Sequence, residues 1–380
     1  MKRSILTLLL LFITFSLFAS LPAIQERLTN DSYRGENLNY IFRGRSNLSS
    51  PYGIDAFSSN PASLGRDPYF LSISLNGSIY NIRRILQSDF VQNFNTLTSE
   101  GAEVLLDSAL GLLSTFSGRS PFVTLDEHIA FALGGFSGGI FVRERLLTSG
   151  ESFGTNAILA LDLKTSIGYG RRFILADNYA LSAGLILSLR GKLYTEDIGA
   201  EAVAALALNK DTSEEYALFS GISLSADAGL HAEFPHSLGL SFAIRDIGEG
   251  YKMTTHNDSA KRFANNFVLA PPLSFDISTS WAPKSKYVSA RFEVGLERVN
   301  YMLLHLSKEN FLLSLHAGAS ITIWDFITLT GGLYQGYPAF GLGLKLLCFD
   351  TKLGYAVEDR GTSFGLRSSE RFLFSLSLSL

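Results

Sequence analysis

The stretch "YVSARFEVGLE", Tyr287 to Glu297, decides the fold. Val288, Ala290, Phe292, Val294 and Leu296 fall on one face of an extended chain, and Arg291, Glu293 and Glu297 fall on the other. One such strand fits many sheets, but this pattern recurs along most of the chain. In "ISLSADAGLHAE" (Ile222 to Glu233) the apolar set faces Ser225, Asp227 and His231. In "AFGLGLKLL" (Ala339 to Leu347), Phe340, Leu342, Leu344 and Leu346 oppose Gly341, Gly343 and Lys345. The C-terminal "RFLFSLSLSL" (Arg371 to Leu380) sets Phe372, Phe374, Leu376, Leu378 and Leu380 against serines. Charges on the polar faces exclude a sandwich core, and uncharged apolar faces exclude a water-facing surface. Apolar outside and charged inside is the pattern of a transmembrane β-barrel.

Working outward, period-2 segments run from Tyr69 to the last residue and count to fourteen strands. The count depends on reading His128 to Leu147 as a hairpin that turns at "GGFSGG". With that hairpin, short connections such as "FPH", "APKS" and "WD" alternate with longer ones, chiefly 83–127, 196–215 and 249–270. Short turns on one side and long loops on the other, with an even strand number, is outer-membrane barrel architecture. Trp281, Trp324, Phe234, Tyr287, Phe326 and Phe349 cluster beside the short turns, where an interfacial girdle belongs.

The N-terminus fixes the compartment. Lys2 and Arg3 precede an apolar run from Ile5 to Phe18, followed by Ala19, Ser20 and Ala23. This is a cleaved secretory signal over 1–23, too short and wrongly flanked for a membrane anchor. No later segment is continuously apolar over the length a spanning helix needs. The net charge of −3 without a basic stripe argues against a nucleic-acid partner. Cys348 is the single cysteine, so no intramolecular disulfide forms.

Candidate chemistry is sparse. Gly135 to Gly139 matches G-x-S-x-G, but a strand follows where a nucleophile elbow needs a helix, so a glycine-rich turn is expected. The six histidines lack metal-binding spacing, and no metal, cofactor or catalytic residue is assigned. His231 and His316 lie on inward registers and read as polar wall residues, a Ser–His hydrolase pair being the sharper alternative. Inward charges such as Asp162, Lys164, Asp227, Glu233, Arg245 and Glu293 carry mixed signs, which suits mutual pairing or pairing with an inserted segment. Arg83 to Phe116 shows helical spacing in "EVLLDSALGLLSTF"; Leu105, Leu112 and Phe116 would form an apolar outer loop that captures ligand.

The lead-in, 24–68, is irregular. Its "DAFSSNPASLG" resembles the Asn-Pro-Ala element that closes the N-terminal hatch of the FadL-like long-chain fatty acid transporters, carried here by Asn60, Pro61 and Ala62. "WDFITLTGGLYQGYPAFGLGLKL" and the final strand are similar to the C-terminal strands of that superfamily's divergent branch. The resemblance implies an all-β fold, a fourteen-stranded antiparallel barrel over 69–380 with residues 24–68 folded inside as a plug. It implies uptake of hydrophobic ligands such as long-chain fatty acids at the outer membrane, and no enzyme activity. Irregular backbone at membrane depth is tolerated where protein buries it, which suits a plug. A scaffold or surface-display partner for other proteins is the alternative function.

Overall fold

The computed structural model describes residues 41–43, 48–49, 53–87, 120–151, 154–196, 217–256, 267–271, 273–304, 308–359 and 368–379. The signal at 1–23 and the loop residues Leu105, Leu112 and Phe116 lie outside the described residues, as do 24–40 of the lead-in.

Two short 3₁₀ turns, Gly53–Phe57 and Pro61–Gly65, precede the first strand. The strands are β1 Tyr69–Tyr80, β2 Ser120–Leu133, β3 Phe136–Glu151, β4 Gly154–Ala176, β5 Tyr179–Glu196, β6 Ala217–Phe234, β7 Leu238–Gly248 and β8 Tyr251–Thr255. They continue as β9 Phe267–Leu269, β10 Ser274–Trp281, β11 Val288–Leu296, β12 Leu315–Ile323, β13 Ile327–Tyr334, β14 Tyr337–Leu346, β15 Phe349–Asp359 and β16 Ser368–Ser379. All ladders are antiparallel. β1 pairs with β16, from Ser72 opposite Ser379 to Tyr80 opposite Arg371, and β5 pairs with β6 along their full lengths. Those two seams close the sheet.

The sixteen segments make fourteen wall positions. β7 and β8 lie in succession along β6, while β10 and β9 lie in succession beside them. The ladder of β6 with β7 shifts between Ala226 and Ala228, where Asp246 adopts φ 62° and Gly248 φ 151°. An extra residue at such a bulge bends the strand and ends its pairing. Pairing resumes at Ile222 with Lys252. Outside this break the wall carries a depression of about 830 Å³, bordered by Leu187, Leu189, Ile222, Leu224 and Ile247.

Leu163, Leu187, Leu224, Phe292, Leu342 and Leu376 are exposed on the outer face, while Asp162, Lys164, Arg190 and Glu293 are buried on the inner one. The hairpin turns at Gly134 and Gly135, with φ of 62° and 89°, so the G-x-S-x-G match is a turn and Ser137 lies in β3. Trp281, Trp324 and Phe349 are exposed beside short turns.

Several boundaries differ from expectation; the strand expected from 310 begins at Leu315, after a short helix at Lys308–Ser314. β2 starts at Ser120 rather than near 128, because Pro121 and the register shift before Val123 mask the alternation. β4 runs past Gly170 to Ala176, through "RRFILA", where both faces are exposed beyond the inner packing. The stretch 249–270 was expected as a loop; within it β8 and β9 extend the wall.

Candidate functional site

The inner face of β3 to β6 is built in three tiers. Nearest the short turns it is made of small residues. Gly168 and Gly170 on β4, Gly184 on β5 and Gly229 on β6 face inward, and the Asn60–Gly65 segment rests on them. A Cβ at Gly184 would overlap the Pro61 carbonyl, one at Gly229 would overlap the Asn60 side chain, and one at Gly170 would lie 2.5 Å from the Gly65 nitrogen. Backbone approaches backbone only where no side chain intervenes.

Asn60, Pro61 and Ala62, singled out from sequence, are all buried in this cradle. Asn60 Oδ1 accepts the Ala62 N–H at 3.0 Å and caps the 3₁₀ turn. Its Nδ2 donates to the Leu48 carbonyl at 2.9 Å and to the Leu230 carbonyl of β6 at 3.2 Å. An amide is the side chain that accepts and donates at once, so asparagine joins turn, lead-in and wall. Pro61 opens the turn with its φ preset and no N–H to satisfy.

Other bonds hold the same segment. Lys164 Nζ donates to the Phe57 carbonyl at 2.8 Å, and Arg245 donates to the Ser58 carbonyl at 3.2 Å. Glu293 Oε1 accepts the Leu48 and Ser49 N–H groups at 2.8 and 3.0 Å. Arg66 Nε meets Glu233 at 2.7 Å. Asp67 accepts the Gly53 N–H at 3.0 Å, yet burial holds its carboxyl above the usual range. On the opposite wall Phe42 sits against Gly341 and Gly354, and the Arg43 backbone against Gly318.

The middle tier is ionic. Asp162 of β4 takes Arg143 at 2.9 Å, Arg145 at 2.8 Å and Lys192 at 2.5 Å. Beside it Arg190 binds Asp246 at 2.5 Å, and Asp227 accepts the Asp246 N–H at 2.8 Å. Arg245 pairs with Asp276, and Arg371 with Glu358 at 3.2 Å. The inward charges thus pair with one another and with the lead-in, as their mixed signs implied. Arg143, Arg145, Arg190 and Lys192 escaped the sequence reading, although each stands on an inward register.

The tier nearest the long loops is apolar. Tyr194 stacks on Phe219 at 5.0 Å, Phe267 meets Phe219 edge-on at 5.6 Å, and Tyr251, Met253 and Leu269 complete the cluster. Lys192 Nζ lies 5.3 Å from the Tyr251 ring, joining this tier to the ionic one. Sequence reading missed the cluster for two reasons. Tyr194 and Phe219 are apolar residues on the polar register, a legible signal, whereas Tyr251, Met253 and Phe267 lie in segments read as loop.

His231 Nδ1 does pair with a serine, Ser241 Oγ, at 2.7 Å. Ser241 is 1% exposed, which denies a substrate and water access to the hydroxyl.

No family model matches the sequence, and no curated protein does. Among solved structures, the toluene transporter TodX of P. putida aligns at 12% identity over 92% of this chain and 99% of its own, with a TM-score of 0.47. A Pseudomonas aeruginosa FadL homologue aligns at 12% identity over 91% and 98%, TM-score 0.42. The Ralstonia pickettii toluene transporter TbuX aligns at 10% over 91% and 97%, TM-score 0.43. The ladder order and the outward apolar band make this chain a fourteen-stranded antiparallel transmembrane β-barrel that resembles the FadL-like transporters.

Proposed function

We propose that this barrel takes up hydrophobic molecules across the outer membrane, with long-chain fatty acids as the first class to test. The observation that carries this reading is the apolar cluster of Tyr194, Phe219, Tyr251, Met253 and Phe267 on the inner face. A lumen built only to pass ions or water has no use for a stacked aromatic wall above its charges, whereas a greasy ligand gains transfer free energy by leaving water there. In this reading Leu105, Leu112 and Phe116 form the outer capture surface, and residues 24–68 are the hatch, whose Asn60–Gly65 segment rests on the glycine cradle. The signal at 1–23 exports the chain and is removed. No step of this function calls for catalysis.

Uptake of radiolabelled oleate into proteoliposomes tests the reading. A Tyr194→Ser, Phe219→Ser double variant that still folds to a heat-modifiable barrel should lose most uptake. Uptake equal to the parent chain would remove the cluster from the route.

A further inference from the structure

The break in the wall leaves a hollow on the face that meets lipid. Gly248 and Gly250 line the depression of about 830 Å³ without side chains, and Ile222 and Leu224 stand bare beside it. Those two are 67% and 68% exposed, whereas Leu163, Leu187 and Leu342 on the same outer face are 45%, 50% and 43%. A second hollow of about 370 Å³ adjoins the first, sharing Ile222 and Lys252 and lined by Gly191 and Gly221. The larger one has the volume of a ligand site, ~300–1,000 Å³.

Two charges line this otherwise apolar hollow. Lys252 Nζ meets Glu249 at 2.7 Å, and the two side chains are 72% and 74% exposed. They mark its long-loop end, because Lys252 stands opposite Ile222, the lining residue of β6 farthest from the short turn after Phe234. That is a full strand crossing, ~9–11 residues, from the turn, where an apolar band gives way to headgroups. An apolar trough ending in one anion and one cation has the polarity of a phospholipid, read from tail to head. The charges also choose the head. An anionic head would meet Lys252 but stand against Glu249, whereas a zwitterion satisfies both, its phosphate on Lys252 and its ammonium on Glu249. A primary ammonium donates hydrogen bonds to the carboxylate, which a trimethylated one cannot do.

We infer that the hollow is a binding site for one phospholipid with a phosphoethanolamine head, an acyl chain lying along Leu187, Leu224 and Ile247 and the head on Glu249 and Lys252. The site belongs to the outer wall, so it stands whatever the lumen carries.

The test is native mass spectrometry of the full chain released from nanodiscs that hold equal parts phosphatidylethanolamine, phosphatidylcholine and phosphatidylglycerol with identical chains. One phosphatidylethanolamine should survive activation that strips the other lipids, favoured over phosphatidylglycerol by roughly fivefold, the scale of an exposed ion pair. Glu249→Gln combined with Lys252→Gln, both at exposed positions, should keep a lipid but erase the preference. Ala226→Phe, which fills the hollow from its β6 side, should lose the retained lipid itself. The inference is overturned if phosphatidylglycerol or phosphatidylcholine is retained equally, or if the preference survives the glutamine pair. It is equally overturned if Ala226→Phe, still heat-modifiable, keeps the lipid, or if all lipids leave together, an adventitious annulus only.

Discussion

The two sides of this barrel solve the same problem differently. On β3 to β7 the inner face carries Arg143, Asp162, Arg190, Lys192 and Asp227, each buried and tied to a partner on another strand. On β12 and β13 it carries Thr322, Thr328 and Thr330, half-buried and served within the wall. Thr322 meets Thr328 at 3.0 Å, and Thr330 donates to the Gly341 carbonyl at 3.1 Å. Hydroxyls can be satisfied by the wall that bears them. Charges need partners across several strands, and the charged side also engages the lead-in, as Lys164 does at the Phe57 carbonyl.

The comparison breaks most readily at Asp162. Asp162→Asn removes the carboxylate that three cations share and should cost about 3–5 kcal/mol of folding free energy, the scale for a broken buried pair. Urea unfolding in vesicles measures it. Asp350→Asn on β15, next to the hydroxyl-bearing strands, where the Lys352 bridge is partly open to solvent, should cost no more than about 1 kcal/mol. Equal costs would mean that the two sides do not differ.

The outer faces should not differ at all. Leu187→Lys and Leu342→Lys place a charge in lipid on either side, and each should cost roughly 2–4 kcal/mol if near mid-membrane. A much cheaper Leu187→Lys would show that the depression beside β6 admits water.

Next in size is the cradle. Gly184→Ala drives a methyl into the Pro61 carbonyl and should cost about 1–3 kcal/mol, with partial release of the lead-in. Gly343→Ala meets only Lys352 and Thr328 at 3.4 and 3.5 Å and should be near neutral. Planar-bilayer conductance tells the two apart: rising for the first, unchanged for the second. No change in either would mean that the lead-in does not seal the lumen.

The smallest expected effect is at Asp67. Asp67→Asn keeps an acceptor for the Gly53 N–H, so stability should change by less than about 0.5 kcal/mol. Its pH signature is the sharper test. Burial raises this carboxyl, so its protonated form favours the docked state, and that contribution fades as pH rises through the elevated value. The asparagine variant should lose that slope, as proteolysis of the lead-in against pH would report.

The wall was legible because its rule is local: every second residue meets lipid, and lipid tolerates no charge. Leu342 and Phe292 declare themselves without knowledge of their neighbours. Inner contacts are not local. Nothing near Gly184 or Gly229 in the sequence says that Pro61 and Asn60 lie on them, since the cradle is made by residues more than a hundred positions apart. Asn60 was found only through its resemblance to a known element. Tyr251 was lost because the bulge at Asp246 to Gly248 interrupts the alternation that strand reading depends on.

That interruption should also divide the wall into two cooperative units. Below it β7 is clamped between β6 and β10, while above it β8 is held by β6 and the three-residue β9. A short ladder hinged on glycine opens at lower free energy than the sheet it continues. Amide hydrogens of Met253 and Phe267 should therefore exchange orders of magnitude faster than those of Leu240 and Ser241, so that the rim around the aromatic cluster breathes while the barrel beneath it stays shut.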